Sequence, residues 1–225
     1  MNSTPNRRGR GAAAFPPAAP AAPATSPAAS AAATAPDVDT LIAARVQALR
    51  AAAGLSLEAL AERSGVSRSM ISLIERGQTS PTAVLLERLA AGLGTTLAGL
   101  FESPAPQAEP LARAADQPLW RDPGSGYQRR ALSPPGTGSP FRLVEVAFPP
   151  GARVAYETGA RAVPVQQQVW LIEGRLELSV GPRTWALAAG DCLAFSLDQP
   201  TAFHNPGPQT ARYLVVVSAT GEGLW

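Results

Sequence analysis

Residues 56–76, SLEALAERSGVSRSMISLIER, decide how this chain is read. Ser56 is placed to cap a short helix whose apolar side is Leu57, Leu60 and Ala61. Ser64-Gly65-Val66-Ser67 interrupts that period, and Ser67 can cap a second helix that turns Met70, Ile71 and Ile74 inward. Gly65 supplies the positive φ that a tight turn between crossed helices needs. Ala61 is small enough for the second helix to cross close above it, and Ile71 with Ile74 makes one buried stripe. These are the spacings of a helix-turn-helix, whose second helix enters the DNA major groove.

Outward from this stretch, the sequence ISLIERGQTSPTAVLLERLAAGLGTTLAGLF continues the helical period. It resembles the second half of the five-helix DNA-binding domain of the XRE family, related to λ repressor and Cro. The matching features are Ser67 through Glu75-Arg76-Gly77, then Ser80-Pro81, then the Leu-rich segment that ends at Phe101. The resemblance spans residues 38–101. It implies a sequence-specific regulator that binds a double-stranded DNA operator. It also implies an Arg50–Glu75 pair that holds the scaffold together and leaves the bases alone. Arg68, Ser69 and Ser72 fall at the front of the recognition helix, where side chains reach base edges, and Arg can read guanine through two acceptors. Arg76, with Gly77, Gln78 and Thr79, is placed for phosphates. Ser56 and Ser67 cap helices whose first amides can also face phosphate.

Before this bundle, residues 1–36 are rich in Ala and Pro and read as a disordered tail. The bundle itself is expected over 37–101. Asp37 or Asp39 caps its first helix, and Leu41, Ile42, Val46 and Leu49 face inward. A fourth helix starts at Ser80-Pro81, and Thr95-Thr96 caps a short fifth. Residues 102–118 return to Pro and Ala and read as a linker, with a helical turn at 111–115.

From residue 119 to 225 the period changes from 3.6 to 2. Strands are expected at 127–132, 141–148, 153–156, 165–173, 175–180, 192–197 and 212–218, with turns at Gly174, Gly181-Pro182 and Gly190-Asp191. The segments FPPGARVAY, QQQVWLIEGRLELSVG and LAAGDCLAFSLDQPTAFHN resemble the two halves of the cupin motif. That resemblance implies an antiparallel β-barrel of jelly-roll type. The expected fold is therefore multidomain, α then β: a λ-repressor-like five-helix bundle followed by a cupin-like barrel.

Cupin enzymes hold a metal through His and Glu residues that this sequence replaces. Gln167 stands in the position of the Glu, and Thr201 in that of the second-half His. His204 is the one histidine of the chain, and with Glu157 it offers two ligands where three or four are needed. The expectation is no metal, no cofactor and no enzyme. Tyr156, Gln167, Val169, Trp170, Thr201 and Phe203 are the candidate ligand-binding residues, with Trp185 at the mouth. Their neutral character suggests an uncharged or weakly polar small-molecule effector. A barrel packed solid that only dimerises is the other reading, and a cupin enzyme or an antitoxin-like interaction module are the rival functions.

Composition sets bounds on these readings. Net charge is only +2, and the 19 basic residues are all Arg, which looks like coding bias in a GC-rich genome. No apolar run reaches the roughly 18 residues of a membrane span. Cys192 stands alone, so no disulfide framework exists, and a reduced cytoplasmic setting is expected. One recognition helix covers few base pairs, so a homodimer reading two half-sites is expected.

Overall fold

The computed structural model describes residues 37–102, 109–157 and 164–219. The expected N-terminal tail lies outside the described residues, as do positions 103–108 of the expected linker. Among the described residues four α-helices come first: α1 (Val38–Ala52), α2 (Leu57–Ser64), α3 (Arg68–Glu75) and α4 (Ala83–Gly92). The expected fifth helix is a single 3-10 turn, Ala98–Phe101, with Thr96 Oγ1 accepting the Gly99 N–H at 3.1 Å. Asp37 occupies the N-cap position of α1 without a side-chain capping bond. Helix α4 starts later than Ser80-Pro81. Thr82 is its N-cap, accepting the Leu85 N–H, and Pro81 is buried just outside the helix.

The turn between α2 and α3 is set by Gly65, in the left-handed region at φ 65° with its N–H on the Ala61 carbonyl. A Cβ there would meet no atom, so the constraint is backbone conformation and not space. Leu60, Val66, Ile71, Ile74 and Leu89 close a small core beneath that turn. Arg50 Nε and a terminal guanidinium nitrogen donate to both Glu75 carboxylate oxygens, at 2.6 and 2.9 Å, which ties α1 to the end of α3. The strong paired hydrogen bond lifts the Arg50 pKa further above its usual value.

Ten strands follow among the described residues: β1 (Leu119–Arg121), β2 (Gln128–Ala131), β3 (Phe141–Phe148), β4 (Arg153–Tyr156), β5 (Val165–Glu173), β6 (Arg175–Val180), β7 (Arg183–Ala188), β8 (Cys192–Ser196), β9 (Thr201–His204) and β10 (Ala211–Ala219). They form two antiparallel sheets instead of one continuous barrel wall. One has six strands in the order β1-β2-β3-β10-β5-β8, the other four in the order β4-β9-β6-β7. Strict alternation sends Val144, Val146 and Phe148 of β3, Val169 and Leu171 of β5, and Tyr213, Val215 and Val217 of β10 to the inner face. From the smaller sheet Leu176, Leu178, Val180 and Phe203 meet them. Asn205 fastens one end: its amide donates toward the carbonyls of Phe148, Pro149 and Gln209 at 2.9, 3.1 and 2.8 Å. The helical turn expected at 111–115 is a turn closed by the Asp116 N–H on the Arg113 carbonyl.

The apolar interior does not stop at residue 101. Ile42, Val46, Ala83, Leu86, Ala90, Leu100 and Phe101 belong to the same buried cluster as Trp120, Tyr127 and the inner sheet faces. Phe101 meets Trp120 edge-on at 5.6 Å, and Trp120 meets Tyr127 at 5.9 Å. Polar ties run along the same seam. Glu102 accepts from Arg45 at 3.2 Å and from Arg142 of β3, and Asp122 accepts the Ala83 N–H at the start of α4. Among the described residues no helix is long and apolar enough to cross a membrane.

Candidate nucleic-acid interface and inner cavity

Helix α3 is built to be displayed. Ile71 and Ile74 anchor its inner side, while Ser67, Arg68 and Ser69 at its start are exposed. Ser67 Oγ accepts the Met70 N–H at 3.3 Å, and Ser56 Oγ accepts the Ala59 N–H at 3.0 Å, so both serines cap their helices. Arg68 Nε lies 3.6 Å from Glu58 of α2, with both side chains mostly in solvent. Such a pair contributes little and leaves the guanidinium free to exchange partners. Arg76 Nε donates to Gln78 Oε1 at 2.9 Å, and another of its nitrogens reaches Ser72 Oγ. Arg68, Ser69, Ser72 and Arg76 line one surface concavity, floored by Leu57 and Leu73. Ser56 and Ser67 sit at the starts of the two helices; Gln78 is exposed and Thr79 half-buried in the turn after α3.

Between the two sheets lies a cavity of about 50 Å³. Tyr156, Gln167, Thr201 and Phe203 are on its wall, as are Tyr127, Arg129, Phe148 and Tyr213. Two candidate residues are not. Val169 is fully buried in the packed interior. Trp170 is 46% exposed, because strand alternation turns it away from the face that Gln167, Val169 and Leu171 share. Trp185 is also absent from the wall; it packs against the core under the guanidinium of Arg183, 4.9 Å from the ring centre.

The three tyrosines of the chain, 127, 156 and 213, all face this cavity. The Tyr127 and Tyr156 hydroxyls are 3.3 Å apart. Burial lifts the hydroxyl pKa of Tyr156 and Tyr213 well above the usual phenol range, with the neighbouring Tyr127 adding to it. Burial raises Tyr127 as well, against the opposing field of Arg129. All three are neutral donors near pH 7.

Arg129 is what sequence reading missed, and it means the wall is not wholly neutral. It lies on the inner face of β2, opposite Trp120 on one side and Val146 on the other. The signal was its spacing of two from the inward Tyr127. His204 and Glu157 do not meet: His204 Nδ1 is 2.8 Å from Glu177 across the strand pair, and Glu157 pairs with Arg88 of α4 at 3.0 Å. No group of three metal-binding side chains occurs among the described residues.

The cavity is closed from the helical side as well. Glu87 of α4 and Thr96, Leu97 and Ala98 before and in the 3-10 turn complete its wall. A displayed recognition helix on a bundle that shares a cavity with a β-sandwich defines a DNA-binding protein of the helix-turn-helix class. The sequence profile of the helix-turn-helix family HTH_3 matches residues 46–100. SutR of Escherichia coli K12, an HTH-type transcriptional regulator, is 30% identical over 165 residues, covering 73% of this chain and 87% of that protein. PuuR of the same organism, also an HTH-type transcriptional regulator, is 26% identical over 174 residues, 76% of this chain and 90% of its own length. The crystal structure of an HTH_3 family transcriptional regulator from Vibrio cholerae superposes with a TM-score of 0.66 at 24% identity, over 80% of this chain and 96% of that one. The chain belongs to the XRE-type HTH transcriptional regulators.

Proposed function

We propose that this regulator binds an operator through residues 56–79 and that a small molecule in the inner cavity adjusts its affinity for DNA. The observation that carries this reading is the shared wall: α4 and the 3-10 turn line the same cavity as Tyr127, Tyr156, Gln167 and Thr201. A ligand there touches the DNA-binding bundle (37–101) and the cupin-like part (119–225) at once. It can therefore favour one arrangement of the two, which is what coupling requires. Arg68 reads bases, and Arg76 with Gln78 and Thr79 holds phosphate. Catalysis is not part of this reading, since Gln167 and Thr201 replace the acidic and imidazole ligands of cupin enzymes. The cytoplasm is the compartment proposed, where DNA is at hand and exposed Cys192 stays reduced.

The active form proposed is a homodimer. Phe141 and Leu143 of β3 and Trp170 of β5 are 50%, 38% and 46% exposed on the outer face of the six-stranded sheet. Register aligns Leu143 with Val216 and Trp170 with Leu214, so these side chains form one apolar surface. A second copy seated there would present two recognition helices to two half-sites. Genome-wide mapping of bound sites, followed by footprinting of the best site, tests the reading. A two-fold-related pair of half-sites is expected; binding without sequence preference would overturn it.

A further inference from the structure

We propose that the ligand of the inner cavity is a small monocarboxylate held by Arg129, an assignment that rests on the sensing role given to this cavity. Arg129 is 7% exposed, yet its side chain lines the cavity. Its one described contact of note is with the Phe101 ring, 5.6 Å from the guanidinium carbon. No hydrogen bond or ion pair joins it to any described residue. Burying a cation without an anion is costly, and five N–H donors left without acceptors add to that cost. Arg129 borders open volume where an anion can sit.

The remaining wall narrows the class of ligand. Glu87 also faces the cavity and already takes part in an interaction of its own. One guanidinium suits a single negative charge; a dianion would bury an excess charge beside Glu87. A planar guanidinium offers two parallel donors that match a carboxylate. The neutral hydroxyls of Tyr127 and Tyr156 are further donors on this wall, and Val154, Val215 and Leu97 add apolar surface to it. The volume of about 50 Å³ holds roughly four non-hydrogen atoms, judged by the space a water needs. That is the size of acetate, with longer chains admitted only if the wall yields.

The test uses the full chain without DNA, titrated at constant ionic strength with acetate, propionate, their uncharged amides, and phosphate. Saturable thermal stabilisation by the acids, and none by acetamide or propionamide, is the expected result. Equal response to acid and amide, or a response to phosphate alone, would overturn the assignment. Arg129→Gln should weaken acetate binding at least tenfold, and Arg129→Lys, which keeps the charge but loses the fork, by less. Unchanged binding in Arg129→Gln also overturns it. If neither variant folds, the comparison of acid with amide on the parental chain decides. Operator affinity is then measured with and without acetate. Acetate that binds through Arg129 but leaves operator affinity unaltered supports the anion site and removes the sensing role instead.

Discussion

The carboxylate of Asp122, a residue of the strand half, accepts the backbone N–H of Ala83 at 2.8 Å and so closes the first turn of α4. Its other oxygen accepts from the Ser125 N–H and hydroxyl at 2.8 and 2.6 Å, which fixes the carboxylate in place. A negative charge at a helix start is favourable in itself. Asp122→Ala should cost about 1–2 kcal/mol of stability, the usual effect of losing such a cap. Urea unfolding of the two proteins measures it, and an unchanged midpoint would show that water replaces the carboxylate at no loss.

Arg50 and Glu75 are bound at two points and only partly shielded from water. Glu75→Ala strands the guanidinium and should cost about 1–3 kcal/mol, between the surface and buried extremes. Arg50→Met combined with Glu75→Leu should cost less than the sum of the two single changes. Additive losses in that cycle would mean that the pair is not coupled.

Arg68 and Arg76 should differ in how they fail. Arg68→Ala is expected to lose about 1–3 kcal/mol at one base position and to relax preference there. Arg76→Ala should weaken all sequences alike and reduce the salt slope by roughly one. Binding-site selection on both variants separates the two outcomes. An identical preferred sequence for Arg68→Ala and parent would remove base reading from Arg68.

The tyrosines give a pH prediction of definite sign. Each has its pKa raised by folding, so the unfolded chain loses its phenol protons first. Stability is therefore full below about pH 10 and falls above it, by up to about 1.4 kcal/mol per pH unit for each tyrosine. Absorbance of tyrosinate should appear together with unfolding and not before it. A titration near the normal phenol value in the folded protein would mean that the cavity is open to water.

Trp170→Glu should leave the fold intact, because the side chain points outward, and should convert the proposed dimer to monomer. Light scattering after size-exclusion chromatography reads this directly. A variant that remains dimeric would place the self-association surface elsewhere.

How much of this was legible depended on the range of the signal. Helices α2 and α3 were readable because their determinants are local: two serine caps, one glycine turn and an apolar stripe. β3, β4, β5 and β6 were readable to the residue, since alternation over these lengths is hard to mistake. β1 has three residues, and β7 has a burial pattern with little alternation, so neither carried a usable period. The start of α4 was set too early because Pro81 suits a first helical turn, whereas Thr82 makes the capping bond. Arg129 escaped notice because arginine on a strand is ordinarily solvent-facing. Only the sheet order, which sets β2 between β1 and β3, and the Phe101 ring against its guanidinium show that it faces in. Trp170 was misplaced for the opposite reason, since a large aromatic ring invites burial that alternation forbids.

The continuous apolar seam from Leu100 and Phe101 through Trp120 has a consequence for how such regulators diversify. A DNA-reading bundle that finishes its own interior can be spliced onto any sensor. This one leaves Phe101 and the inner side of α4 to be covered by the strands, and Glu87 with Thr96, Leu97 and Ala98 forms part of the cavity wall. Exchange of the bundle between proteins would carry an unfinished face with it and would alter the floor of the cavity. Recombination is thereby confined to partners that already share the joint, and new effector specificities must arise by substitution inside an inherited pair.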